Sequence, residues 1–152
     1  MNIILASDHR GLAVRTTIWE YLQTLPEHTV RLVDEHSTGS MDYPDIAAEV
    51  ALSVSTHKAD RGILICGTGI GTCVVANKFP GVRAAPCHNE VAAELSRKHN
   101  DSNVLCLSGD LLGERSSVAV VAIWLATQFE GGRHSLRLEK IRQLELANRV
   151  SA

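Results

Sequence analysis

Residues 61–78 read RGILICGTGIGTCVVANK, an apolar run that passes through three alternate glycines into a segment of helical period. A buried strand that ends at glycines and continues as a helix is the repeating unit of an α/β fold, whose ligands gather beyond the carboxyl ends of its strands. Outward from this stretch, short apolar runs recur as NIILA (2–6), TVRLV (29–33), VRAAP (82–86) and NVLCL (103–107). They alternate with segments of helical period at about 10–24, 45–57, 70–78, 89–99, 113–129 and 134–148. Pro44 and Asp45 suit the first turn of the second of these.

This alternation predicts one α/β domain over residues 1–152, a five-stranded parallel sheet with helices on both faces and right-handed crossovers. The expected strand order is 2-1-3-4-5. Strands 1 and 3 are then neighbours, and Ser7, Asp8 and His9 share a crevice with the loop Cys66–Gly71. The segment 117–129, SVAVVAIWLATQF, is apolar nearly all round and must be covered, by a second subunit or by the last helix of the same chain.

The chain of 152 residues is 45% hydrophobic and 21% charged, with a formal net charge of -2 and no block of like charge. That balance points away from nucleic acids and membrane surfaces, and towards small molecules or further copies of the chain as partners. No apolar stretch approaches the roughly 20 residues of a membrane span, and the N-terminal run is too short for a secretory signal, so a cytoplasmic location is expected. Cys66, Cys73, Cys87 and Cys106 show no C-x-x-C spacing, which suggests free thiols rather than zinc ligands or disulfides.

The loop GTGIG invites a nucleotide-binding reading, but Thr72 stands where the dinucleotide fingerprint needs its third glycine, and the Gly-Lys-Ser/Thr of a P-loop is absent. Alternate glycines instead allow a small, oxygen-rich ligand close to the backbone. Cys66 is either a buried strand-end residue or a thiol activated at a helix start, able to act as base or nucleophile. Asp8 and His9 are either a helix cap with its neighbour or ligands for sugar hydroxyls and phosphate. Arg133 and Arg137 share one face at the start of the last helix, as ordinary solvated residues or as a phosphate clamp.

Taken in order, SDHRG, DYPDIA, GILICGTGIGTCVVANKFPGVRAA, LSRKHNDSNVL and EGGRHSLR resemble the type B ribose-5-phosphate isomerases, a family that includes galactose- and allose-6-phosphate isomerases. The resemblance spans nearly the whole chain. It implies a Rossmann-like three-layer α/β/α fold, no metal or organic cofactor, and aldose-ketose isomerisation through a cis-enediolate. It further implies a homodimer or dimer of dimers in which the C-terminal helix, about 134–148, packs on a partner subunit.

By that resemblance Cys66 is the base, and the backbone of Gly67, Thr68, Gly69, Ile70 and Gly71 holds the oxyanion. Thr68 and His99 assist ring opening, Asp8 and Asn100 bind sugar oxygens, and His9, Arg133 and Arg137 bind phosphate. His99 and Asn100, like Arg133 and Arg137, are expected at the sheet edge far from Cys66, and so to serve a neighbouring subunit. Trp124 and Leu125 are expected at the subunit contact. One departure is Asp110, where the compared enzymes carry a basic residue on the phosphate; Lys78 or Arg115 could compensate. Asp110 also keeps open a non-catalytic sugar-phosphate-binding subunit, or a tetrose or hexose phosphate substrate.

Overall fold

The computed structural model describes residues 1–33 and 42–150. Its elements are β1 (Asn2–Ser7), α1 (Leu12–Gln23), β2 (Thr29–Leu32), α2 (Tyr43–Ser55), β3 (Arg61–Cys66), α3 (Ile70–Ala76), β4 (Ala84–Pro86), α4 (Glu90–Asn100), β5 (Val104–Ser108), α5 (Glu114–Ala126) and α6 (Arg133–Val150). The predicted elements are all present, with ends displaced by a few residues. Asp42 caps α2 by accepting from Tyr43 N, and Pro44 and Asp45 occupy its first turn as expected.

All five described strands run parallel, but in the order β2-β1-β3-β5-β4, not 2-1-3-4-5. The reason lies in the strands themselves. β5 is buried at every residue, as a central parallel strand must be, whereas β4 has three residues, is only partly buried and ends in Pro86. Proline has no N–H to donate to a ladder and is confined to sheet edges, so β4 takes the edge and β5 pairs with β3.

Alternate strand residues feed two cores. Ile3, Leu5, Ile63, Ile65, Leu105 and Leu107 face α1, α4 and α5, while Ile4, Ala6, Leu64, Val104 and Cys106 face α2 and α3. Right-handed crossovers explain the division. Chain moves from β2 to β3 and from β3 to β4 use one face; the reverse moves, from β1 to β2 and from β4 to β5, use the other.

α5 packs within its own chain on the sheet and on α1 and α4, rather than under α6. Trp124 is fully buried, donates from Nε1 to Ser102 Oγ at 2.8 Å and carries the Arg61 guanidinium over its ring at 5.0 Å. It is therefore a core residue rather than the subunit contact expected from the sequence. α6 rests on α4 and reaches back to the β4 edge, where Gly81 N donates to Glu145 Oε1 at 2.8 Å. Between them lies a cavity of about 1070 Å³, lined by Pro80, Val82, Leu138, Ile141 and Leu144 among others.

Candidate active site

β3 delivers Cys66 to the carboxyl end of the sheet, between the ends of β1 and β5. Its side chain is almost fully buried, yet not in hydrocarbon. Cys66 Sγ accepts from Gly69 N at 3.1 Å and lies 3.6 Å from Thr72 Oγ1. Thr72 in turn donates to Gly69 O at 3.2 Å, which closes the loop around the sulfur. Gly69 has φ 76, the left-handed region, and a Cβ there would stand 3.0 Å from the Leu107 backbone. Only glycine admits this turn at so close an approach.

The other loop residues take different exposures. Thr68 and Ile70 are exposed, Gly67 is buried, and Thr68 Oγ1 accepts from Ile70 N at 3.3 Å. Gly71 lies against the ring of Tyr43. Tyr43 comes from the start of α2 and escaped the sequence reading, although it stands in the DYPDIA stretch. From β1, Asp8 is buried at the same end, where its N donates to Ile65 O at 3.1 Å and its Oδ1 accepts from Arg10 N at 2.9 Å. His9 is exposed beside it. Asp8, His9 and the Cys66–Gly71 loop thus meet as expected.

His99, Asn100, Arg133 and Arg137 gather elsewhere. His99 stacks on His134 with ring centroids 4.4 Å apart and planes 7° apart, and Glu130 N donates to Lys98 O at 3.1 Å. This brings the end of α4 to the start of α6. The group lies below the start of β5, whereas Cys66 pairs with Ser108 at its end. Four strand residues between them correspond to about 13 Å along the sheet. The expected edge-to-edge separation is corrected, since β5 neighbours β3; the separation is from one end of the sheet to the other.

His134 is buried, its Nδ1 has no hydrogen-bond partner, and burial first, with repulsion from His99, Arg133 and Arg137, pushes its imidazole below the ordinary range. His99, Glu130 and His134 have potential ligand atoms within 4.8 Å of one another. Parallel stacked rings keep their in-plane lone pairs from converging, so a cation at ordinary zinc–nitrogen distances of about 2.0–2.1 Å would require one ring to turn.

Lys78 lines the cavity under α6, Arg115 lies in the first turn of α5, and neither forms an ion pair with Asp110. Asp110 is paired instead with Arg10, a residue the sequence reading passed over.

A glycine-loop thiol beside a buried aspartate, on this sheet, is where comparison with known proteins becomes decisive. Residues 3–141 match the family described as Ribose/Galactose Isomerase. The chain belongs to that family. It is 41% identical to ribose-5-phosphate isomerase B of Escherichia coli strain K12, over 95% of this chain and 96% of that one. It is 36% identical to the D-erythrulose-4-phosphate isomerase of Pectobacterium atrosepticum, over 93% of each chain.

Among solved structures, ribose-5-phosphate isomerase B of Mycoplasma genitalium with bound ribulose-5-phosphate superposes with a TM-score of 0.89 at 42% identity, covering 95% of each chain. The protein is accordingly an isomerase of the ribose/galactose family with its three-layer fold. Among the described residues, no helix is long and apolar enough to cross a membrane.

Proposed function

We propose that the protein interconverts an aldose phosphate and its ketose phosphate, ribose 5-phosphate and ribulose 5-phosphate or a close relative, with Cys66 as the general base. The observation that carries this reading is the seat of Cys66 Sγ, 3.1 Å from Gly69 N at the carboxyl end of the sheet, where Asp8 is also buried. The thiolate removes the proton from C2 of the open-chain aldose; the electron pair moves into a cis-enediolate, and the proton returns to C1. Within the loop Gly67–Gly71 that holds the developing oxyanion, the amides of Gly67, Thr68 and Gly71 are the donors, while those of Gly69 and Ile70 hold Cys66 Sγ and Thr68 Oγ1 in place. Thr68 and a His99 assist ring opening, Asp8 and Asn100 hold sugar oxygens, and His9, Arg133 and Arg137 hold phosphate.

This division of labour needs two subunits, because the His99–Arg137 group lies at the opposite end of the sheet from Cys66 in one chain. A homodimer, or a dimer of dimers, that sets the α4–α6 end of one copy against the crevice of the other completes each site. The exposed Leu136, Ile141 and Leu144 of α6 support a second copy on that helix.

A coupled assay over tetrose, pentose and hexose phosphates, on the natural protein and on Cys66→Ala, tests the reading. Turnover of one class, reduced at least about 10²-fold in the variant with its fold intact, is expected for loss of a general base. Near-normal turnover without the thiol would remove Cys66 from the mechanism. The relative named for D-erythrulose 4-phosphate favours a tetrose phosphate as the second reading of the substrate.

A further inference from the structure

The loops after β1 and β5 are joined above the end of β3. Arg10 donates from Nη2 to Asp110 Oδ2, and its guanidinium lies on Gly67, the residue next to Cys66. A Cβ on Gly67 would stand 2.9 Å from Arg10 Cζ, and one on Gly109 would stand 2.4 Å from the Arg10 carbonyl oxygen. Glycine at both places is what lets the strap lie flat. Its footing is firm: Gly109 N donates to Cys66 O at 2.8 Å, Asp110 N to Gly67 O at 3.1 Å, and Ser108 Oγ to Gly67 O at 2.6 Å. On the other side, Arg10 N is held by Asp8 Oδ1 at 2.9 Å. The strap exists because β5, not β4, neighbours β3.

A guanidinium has five N–H donors, and only one is spent on Asp110; the side chain remains 55% exposed, between His9 and the glycine loop. A planar cation with open donors beside an oxyanion loop matches an anionic oxygen cluster such as phosphate. Asp110 alone would repel such a group. Paired, it offsets the charge of the guanidinium and fixes its direction, so that the open N–H donors, rather than a net charge, face the ligand.

We infer that Arg10 is a specificity-determining residue that binds the phosphate of the substrate, and that Asp110 is the positioning residue that holds its guanidinium over Gly67. The inference rests on the sugar-phosphate reading of this crevice and adds to it a ligand contributed by this chain. It also gives Asp110 a role compatible with an anionic substrate.

The test uses two readouts. Inorganic phosphate is titrated calorimetrically into the natural protein, Arg10→Ala, Asp110→Asn and the double variant Arg10→Ala/Asp110→Arg, and KM and kcat are measured on the phosphosugar panel. Arg10→Ala should weaken phosphate binding and raise KM by at least about tenfold, with KM rising more than kcat falls. Asp110→Asn should weaken both by less, and the double variant, which moves the cation across the strap, should regain part of the loss. Unchanged or tighter phosphate binding in Arg10→Ala overturns the inference, as does a natural protein that binds no phosphate. Absence of turnover on every phosphosugar, with phosphate binding still lost in Arg10→Ala, defeats the isomerase reading and supports this one.

Discussion

Two side chains illustrate how burial decides chemistry. Trp124 fills the core between α1, α4 and the sheet, with its indole nitrogen satisfied by Ser102. Trp124→Ala should cost about 3–5 kcal/mol in a denaturant titration, the range for truncating a buried aromatic, and a shift in subunit assembly without loss of stability would contradict its placement. The thiols rank in the same way. Burial pushes the Cys87 and Cys106 thiols up, and Cys106 is wholly enclosed; hydrogen bonding with Cys106, then with Asn77, draws the half-buried Cys73 thiol down. Of these three, Cys73 should alkylate first with iodoacetamide, and peptide mapping that found Cys106 ahead of it would be incompatible with this core.

His134 couples a residue to pH. Its folded imidazole resists protonation below the ordinary 6.5, through burial and the cationic neighbours Arg133 and Arg137 with His99, against partial support from Glu130. The unfolded chain therefore binds more protons just below pH 6.5, and stability falls as the pH drops through that point. His134→Asn should flatten the dependence of the unfolding midpoint between about pH 7 and 5; an unaltered slope would assign it to other groups.

Among the elements, the turn into α3 is the most constrained. Gly69→Ala places a side chain at φ 76 and 3.0 Å from the Leu107 backbone. It should destabilise the fold by about 1–2 kcal/mol from backbone strain alone, seen as a lowered Tm, and lower kcat as the donor N–H moves from Cys66. This turn was legible in the sequence, because strand, alternate glycines and helix follow one another without interruption. The order of the last two strands was not, since both runs are short and apolar and periodicity carries no adjacency. The usable signal was Pro86, which suits an edge. Coverage of α5 escaped for a related reason: an all-round apolar helix reports that it is enclosed, not by which element. Tyr43 and Arg10 were missed because their roles depend on contacts between distant loops.

At the scale of the whole molecule, the chemistry-bearing residues fall into two groups at opposite ends of one sheet. If a partner subunit unites them, Cys66→Ala and the double variant Arg133→Ala/Arg137→Ala are each inactive, and mixing the two after joint refolding restores activity. Random pairing in a twofold dimer leaves one intact site in each mixed dimer, so about a quarter of the natural activity is expected. No recovery, with mixed dimers demonstrated by mass, would place all the machinery within single subunits.

The short connection from Ser108 to Gly113 leaves the buried sheet, passes over Cys66 and Gly67 and returns at α5. Exchanging its exposed residues, Asp110 and Leu111, alters the rim of the crevice while leaving the buried Leu112 and both hydrophobic layers in place. Such an arrangement makes catalytic preference evolvable at little thermodynamic risk: one scaffold can acquire new diets by editing a few positions at its rim.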